Sequence, residues 1–254
     1  RTPTDTLVPP SLLLPGSTLA LYTTGTAGSY VAGTNSFDDK AKVQVFNSTG
    51  SVIVEQLLFL FGAKDEAGSP NSVVHARVYG LDGAGTNTAD AAVTTAPGTV
   101  MGSVDIPISA CDTSSLTVAM FSPAVSVSGN FGGGFDVSDL TTGVELGLIT
   151  TSDGDEPLDD QNWEKFSDDT WTAMSNSTAS WGLHMDLAVL AVLGDGVAGI
   201  HDIASVNNMR MSFIGSNPAS SSVVVAYDML QDANARLMVL DGKGTKVLDQ
   251  QIGR

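Results

Sequence analysis

Short runs of alternating apolar and polar residues dominate the chain, and clusters of glycine, asparagine, aspartate, serine and proline separate them. Alternation with a period of two is typical of β-strands, because successive side chains point to opposite faces of a sheet. The runs predict strands at 17–23, 42–47, 51–62, 72–80, 99–108, 115–122, 125–137, 144–150 and 180–193. No stretch carries a convincing helical period with start and stop signals, so the pattern predicts an all-β fold.

The spacing of these runs predicts an antiparallel β-sandwich of jelly-roll type over residues 17–193. In KVQVFN (42–47), the alternation assigns Lys42 and Gln44 to a polar face. The glycine run GNFGGGFD (129–136) precedes neither a helix nor a lysine, so it predicts a bulged or tightly packed strand and not a phosphate-binding loop.

Both ends of the chain differ from this central pattern. Residues 1–16 contain four prolines and no helical period, which predicts an extended arm. The leucines at 12–14 indicate that the arm is covered, either by its own domain or by a neighbouring molecule. Residues 194–212 have the weakest pattern of the interior and are interpreted as a linker.

A second β unit is predicted over residues 213–254. Its apolar runs predict strands at 222–230, 235–241 and 245–252. The Asp-Gly pair in DGKG (241–244) lies between two such runs and predicts a hairpin. Three strands cannot close a sandwich, because their unpaired edges and one apolar face would stay open.

Composition narrows the set of partners. The 254 residues include 28 acids and 11 bases, and the formal net charge is −17. A field of that sign repels phosphates, so nucleic acid is not an expected partner. Cys111 is the single cysteine, which excludes a disulfide within the chain, and its apolar neighbours predict a buried structural thiol. The chain begins at Arg1 without methionine or signal peptide, which favours a processed product.

The C-terminal unit resembles the opening half of the C-terminal sorting domain of proteins exported by the type IX secretion system of Bacteroidota. Asn217 and Pro218 begin an N-P-A-S motif ahead of a strand, and Asp241, Gly242 and Gly244 lie in a turn of the family's D-x-x-G-K/R kind. The family continues for about half a domain beyond this point. The resemblance implies secretion by the type IX machinery and an extracellular or cell-surface location.

Residues 17–193 resemble, more loosely, a β-sandwich module that many secreted proteins of the same bacteria carry. The resemblance depends on residues 29–42, on residues 125–140 and above all on the TSDGD…WEKFSDDTW pattern that begins at Thr151. The module accompanies varied partners. It therefore implies an accessory, binding or structural role and identifies no reaction.

The segment 151–171 contains eight carboxylates in twenty-one residues. Carboxylate oxygens are the ligands that Ca²⁺ prefers, and Gly154 permits a tight bend between them. The sequence therefore predicts a calcium site as the sole cofactor, and a solvated acidic loop is the alternative. It is not an EF-hand, because Pro157 interrupts the loop. The predicted ligands are Asp153, Asp155, Asp159 and Asp160.

Other chemistries have candidate residues in the same region. Trp163 and Trp171, together with Trp181 and Phe166, are candidates for a platform on which sugar rings stack, and structural packing is the alternative. Trp163 and Trp171 are predicted on two strands of one hairpin. Paired carboxylates for glycoside hydrolysis would have to come from Glu145, Glu156 and Glu164. No nucleophile motif or histidine cluster is present, so no catalytic residue is expected.

These observations predict a secreted, non-enzymatic structural or adhesive protein of the cell surface. The arm and the incomplete C-terminal unit would pair strands between copies, and head-to-tail pairing would produce a filament or layer. Other cell-surface components are alternative partners. The second hypothesis is a carbohydrate-binding accessory module of a secreted protein, with a glycan as its ligand.

Overall fold

The computed structural model describes residues 5–155, 158–194, 209–214, 224–229, 235–240 and 246–252. The chain divides into two compact units, Arg1–Gly196 and Val197–Arg254. The described residues form strands and two short 3-10 turns without any α-helix, which confirms the all-β prediction. No helix among them is long and apolar enough to cross a membrane.

The described residues of the first unit form sixteen strands. They are β1 (Asp5–Leu7), β2 (Leu19–Ala20), β3 (Ala41–Phe46), β4 (Ser51–Phe59), β5 (Phe61–Asp65), β6 (Val73–Gly80), β7 (Gly83–Thr86), β8 (Ala92–Ala96), β9 (Val100–Pro107), β10 (Thr117–Ser128), β11 (Phe131–Asp136), β12 (Glu145–Leu148), β13 (Thr150–Thr151), β14 (Asn162–Lys165), β15 (Trp171–Ala173) and β16 (Val189–Gly194).

Two sheets form the body of this unit. One has the order β1-β16-β4-β10, and the other has the order β8-β7-β15-β14-β3-β11-β6-β9. Neighbouring strands are antiparallel except β15 and β7. The main apolar cluster draws side chains from both sheets, for example Leu57 and Phe59 of β4 with Phe131 and Phe135 of β11. The unit is therefore a sandwich, consistent with the jelly-roll-like prediction.

Strand β3 is buried on both faces, which corrects the polar face predicted for Lys42 and Gln44. Both side chains are fully buried, because they share the inner face of β3 with Phe46. A second apolar cluster covers the outer face, where Val43 packs with Trp163. A period of two distinguishes the two faces of a strand, but it cannot distinguish a solvated face from a second buried one.

The glycine run forms β11, which pairs with β3 on one side and β6 on the other without a register shift. A side chain at Gly134 would place its Cβ 2.1 Å from the carbonyl oxygen of Lys42. The alternative of a tightly packed strand is therefore confirmed, and the bulge is not present. The close approach fixes β3, and with it Lys42, against the sheet.

Several predicted strand boundaries change in the structure. The run 51–62 divides at Leu60 into β4 and β5, which belong to different sheets. Strand β10 continues through Pro123 to Ser128, so it joins the predicted run 115–122 to the first part of the run 125–137. The rest of that run forms β11 after a turn at Gly129 and Asn130, so a single strand over 125–137 was wrong. Strands β7 and β8 lie in a Gly- and Ala-rich segment that gave no apolar alternation. The hairpin prediction is confirmed, since β14 and β15 pair with Lys165 opposite Trp171.

The N-terminal arm packs on its own domain. Strand β1 pairs with β16, with Asp5 opposite Leu193, and forms the edge of the four-stranded sheet. Farther along the arm, Ser11 is fully buried. An arm without a partner, which was one premise of the filament hypothesis, is therefore wrong, because β16 of the same chain supplies the paired strand.

The second unit contains two described hairpins. Strand β17 (Met209–Ile214) pairs with β18 (Val224–Met229), and β19 (Ala235–Leu240) pairs with β20 (Lys246–Ile252). The second pair confirms the hairpin predicted across 241–244. Strand β17 begins inside the predicted linker 194–212, so that boundary was wrong. The motif residues of the sorting domain lie outside the described residues; they are Asn217, Pro218, Asp241, Gly242 and Gly244.

Candidate functional site

A charged cluster is buried where β3 meets β14. The ammonium group of Lys42 donates to Asp39 Oδ2 at 2.8 Å and to Glu164 Oε2 at 2.6 Å. We name Asp39, Lys42 and Glu164 the Lys42 cluster. A buried ammonium group is tolerated only where hydrogen-bonded carboxylates compensate its lost hydration, so the three residues depend on one another.

The pKa values of the two acids of the Lys42 cluster are shifted in opposite directions. Burial raises the pKa of Glu164, and Lys42 does not fully offset it. Burial acts on Asp39 in the same sense, but there the charge of Lys42 and hydrogen bonds from Lys42 and Asn35 hold the pKa below its usual value. Asp39 is therefore the counter-ion of Lys42, and Glu164 is the acid that retains a proton more readily.

Two members of the Lys42 cluster, Asp39 and Glu164, line a cleft of about 470 Å³. Three aromatic side chains line this space above the carboxylates: Phe37, Phe166 and Trp181. We name the space the aromatic cleft. The ring centroids of Phe37 and Trp181 are 5.6 Å apart with an edge-to-face angle of 71°. Its remaining lining residues are Ser167, Asp168, Ala179 and Ser180.

Glu164 orients the wall of the aromatic cleft. Its Oε2 accepts a hydrogen bond of 2.7 Å from the indole nitrogen of Trp181, and its Oε1 accepts one from the hydroxyl of Ser180. Phe37 precedes β3, and Phe166 begins the turn between β14 and β15. Hydrogen bonds and strand pairing thus hold three loops around one space, which favours a preformed site.

A neighbouring polar network has a structural role. Asp186 accepts from the backbone nitrogen of Ser11 at 2.9 Å and from the amide of Gln44 at 2.9 Å. The backbone nitrogen of Leu187 donates to Gln44 Oε1 at 2.8 Å. This network satisfies Gln44 and fastens the N-terminal arm. None of its members lines the aromatic cleft.

The predicted calcium ligands make separate contacts. Asp160 accepts two hydrogen bonds from Thr88, at 2.7 Å each, whereas Asp153 accepts from the backbone nitrogen of His184 at 2.9 Å. Asp155 accepts from the backbone nitrogen of Thr18 at 3.2 Å, and Asp159 lies 3.5 Å from the imidazole Nδ1 of the same His184. Within the described ranges, no group of three or more His, Cys, Asp or Glu side chains could hold a metal ion. Calcium binding stays a prediction from composition.

The tryptophans predicted to stack on sugars occupy the second apolar cluster. Trp163 is 2% exposed and Trp171 is 7% exposed, and both pack against β3 and Tyr79. The stacking prediction is therefore corrected for this pair, because protein covers both rings. Trp181 and Phe166, which were considered beside them, line the aromatic cleft instead.

Sequence reasoning missed Phe37 and Asp39 as residues of the cleft. One signal was available, since Asp39 stands three residues before a lysine inside an apolar strand. The glycosidase carboxylates are not brought together as a pair: Glu145 lies on β12, in a different sheet from Glu164, and Glu156 lies outside the described residues. Cys111 is buried as predicted, and burial raises its pKa to about 12.

A second charged group lies at the surface. His75 on β6 contacts Asp105 through Nδ1 at 2.7 Å and Asp139 through Nε2 at 2.9 Å. We name these three residues the His75 clamp. It borders an open depression of about 560 Å³ that is lined by the loop 68–73 and carries no aromatic side chain. The larger volume alone does not make it a better ligand site, because no phenylalanine, tyrosine or tryptophan lines it.

Comparison with known proteins leaves the aromatic cleft as the main guide to function. No protein-family model, characterised protein or solved structure matches this chain at a significant level. The resemblances to a type IX sorting domain and to a secreted β-sandwich module therefore stay predictions from the sequence.

Proposed function

We propose that the first unit is a carbohydrate-binding module whose ligand occupies the aromatic cleft. Ligand sites are typically concave and lined by aromatic side chains with a few fixed polar groups. The aromatic cleft has this composition, with three aromatic residues and several carboxylate and hydroxyl groups. The C–H faces of a sugar ring would pack on the aromatic rings, and carboxylates would accept hydrogen bonds from its hydroxyl groups.

One observation carries the proposal: the fixed position of Trp181. Its indole nitrogen is bonded to the buried carboxyl of Glu164, and its ring meets the edge of Phe37. Phe37 is 59% exposed, so its ring is accessible to a ligand in the cleft. A rigid aromatic wall that is already oriented loses little conformational entropy when it binds a ligand.

The decisive experiment measures sugar binding by wild-type protein and by Phe37→Ala. We expect isothermal titration with soluble oligosaccharides to give a dissociation constant that Phe37→Ala weakens about tenfold, the loss of one aromatic contact of about 1.4 kcal/mol. Met120→Ala is the matched control, because Met120 is equally exposed, at 60%, on the edge strand β10. Equal weakening by both variants, or no binding to any saccharide, would contradict the proposal.

Secretion and display at the cell surface form part of the same proposal. They are supported by the resemblance of residues 213–254 to a type IX sorting domain. A non-enzymatic binding module on an exported protein would anchor it to polysaccharide. Expression in a Bacteroidota strain with and without a functional type IX system would test export, with the protein expected in the medium or on the surface only when the system is intact.

Self-association is the second candidate function, and the exposed face of β10 favours it. Val118 is 51% exposed and Met120 is 60% exposed, and β10 has a paired strand on one side only. Apolar residues on an open strand edge promote pairing with another chain. Light scattering and electron microscopy would detect the dimers or filaments expected here, and Met120→Lys would be expected to disperse them.

A further inference from the structure

We infer that Asp168 makes the aromatic cleft selective for uncharged or amine-bearing sugars over acidic ones. This inference rests on the proposed carbohydrate-binding function and identifies the chemical class of its ligand. It assigns the selectivity to one exposed carboxylate at the rim of the aromatic cleft, in the turn between β14 and β15.

Asp168 is an oriented carboxylate. Its Oδ1 accepts hydrogen bonds from the hydroxyl of Thr170 at 2.6 Å and from the backbone nitrogen of Thr170 at 3.0 Å. The same two bonds lower its pKa. Oδ2 takes part in neither bond. A fixed carboxylate with one available oxygen can accept a hydrogen bond from a sugar hydroxyl or from a sugar ammonium group without first being ordered.

The cations near Asp168 are already paired with carboxylates, although the side chains of Lys40 and Lys165 keep exposures of 27% and 26%. Lys42 is fully buried beneath the cleft and bonded to two carboxylates. The nearest turn lysines, Lys40 and Lys165, both pair with Asp169, at 2.9 Å and 2.8 Å. The lining residues therefore present acids to the ligand and no uncompensated cation among them.

Electrostatics then separates three classes of sugar. A uronic acid or sulfated sugar brings a negative charge towards Asp168 and is repelled, whereas an ammonium group is attracted. A neutral sugar feels neither effect and binds through the rings and hydroxyl groups. The formal net charge of −17 adds a long-range repulsion of the same sign, whereas Asp168 is the exposed carboxylate among the residues that line the cleft.

The test compares three hexamers of different charge by isothermal titration: cellohexaose, a fully deacetylated chitosan hexamer and hexagalacturonate. We expect the wild type to bind the neutral or the amine-bearing hexamer and to bind hexagalacturonate at least about tenfold more weakly. Asp168→Asn should narrow that ratio about three- to tenfold, mainly by improving binding of the acidic hexamer.

The matched control is Asp112→Asn. Asp112 is also exposed and is held in a similar way by the following residues Ser114 and Ser115, but it lies in the loop before β10 and does not line the cleft. Both variants change the net charge equally, so only the contact effect differs. Asp168→Ser removes the charge but keeps a hydroxyl that can accept a hydrogen bond in the turn. It should narrow the ratio as Asp168→Asn does, which would show that the change does not come from a disturbed turn. The difference in affinity ratio between Asp168→Asn and Asp112→Asn should shrink in 0.5 M salt, because the Debye screening length falls to a few ångström.

The outcomes separate the two levels of the argument. Suppose that a hexamer binds and that its binding requires Phe37. If the ratio of its affinity to that of hexagalacturonate is the same in wild type and Asp168→Asn, the role of Asp168 is overturned and carbohydrate binding stays intact. An equal change in Asp112→Asn would also overturn it, because net charge would then explain the selectivity. Failure of every hexamer to bind the wild type would overturn both proposals.

Discussion

The Lys42 cluster and the His75 clamp have the same plan, with one basic side chain between two carboxylates, but they differ in their exposure to water. The side chains of Lys42 and Glu164 are 0% exposed. Asp105 and Asp139 of the His75 clamp are about 70% exposed, at 69% and 70%. The side chain of His75 itself is 14% exposed. Water therefore solvates the two acids of the clamp, whereas it does not reach Lys42 or Glu164.

This difference teaches what each group can do for the protein. Buried charges must be matched in number and geometry, so the Lys42 cluster is a rigid structural element that fixes Trp181 and the aromatic cleft. Exposed charges contribute little to stability and are free to exchange protons with solvent. The His75 clamp is therefore a titrating surface group.

Removal of the buried cation should have the largest effect. We expect Lys42→Met to lower the free energy of unfolding by about 3–5 kcal/mol, because Asp39 is left buried without its counter-ion. Lys64→Met is the control, since the partly exposed Lys64 pairs with Glu66 at 3.1 Å and donates to the carbonyl oxygen of Ser109 at 3.4 Å, where water can replace it, and should cost less than about 1 kcal/mol. Denaturant titrations measure both. If Lys42→Met lowered the free energy of unfolding by less than about 1 kcal/mol, the Lys42 cluster would not differ in stability from an exposed charged group.

The two acids of the Lys42 cluster should differ from each other. Since Glu164 retains a proton more readily and Asp39 carries the charge, Glu164→Gln should cost about 1 kcal/mol and Asp39→Asn about 2–3 kcal/mol. Thermal and denaturant unfolding at neutral pH would rank them. The reverse order would mean that Glu164, and not Asp39, is the counter-ion of Lys42.

The His75 clamp should give the smallest effect, visible only as a pH dependence. Although burial opposes it, hydrogen bonds to Asp105 and Asp139 raise the pKa of His75 above 6.5. A pKa that is higher in the folded state than in the unfolded state stabilises the folded protein at pH values below the unfolded-state pKa. This contribution is lost as the pH rises through the folded-state pKa. Only a protonated imidazole can donate to both carboxylates.

We therefore expect the wild type to lose stability relative to His75→Gln between pH 6 and pH 8, by about 1 kcal/mol or less. Thermal unfolding across this range measures the difference, and an NMR titration of the imidazole measures the pKa directly. His184→Gln is the control, because the side chain of His184 is 41% exposed and contacts one carboxylate at 3.5 Å. A pH dependence that persists in His75→Gln would assign it to other groups.

The sequence predicted those features that depend on neighbours along the chain. The hairpin that carries Trp163 and Trp171 depends on a short turn, and the packed strand β11 depends on three consecutive glycines. The burial of Cys111 follows from its apolar neighbours. Boundaries were less predictable: β7, β8 and β17 lacked a clear alternation, and the division at Leu60 depends on which sheet each half joins.

The composition of the aromatic cleft could not be predicted in the same way. Lys42 and Glu164 are 122 residues apart, and neither residue type indicates burial by itself. The exposed acidic residues of 151–171 drew attention to calcium, while the informative carboxylate, Glu164, was one of eight in that segment. Trp163 and Trp181 look alike in the sequence, yet one is covered by the second apolar cluster and the other lines the cleft.

The sequence by itself determined the all-β class, the hairpins and the acidic surface, because alternation, turn residues and charge are local properties of the chain. Only the tertiary structure decided that both faces of β3 are buried, which tryptophan is accessible and which carboxylates surround Lys42. The physical reason is that burial and charge pairing depend on distances between residues remote in sequence, and those distances exist only after the two sheets have packed.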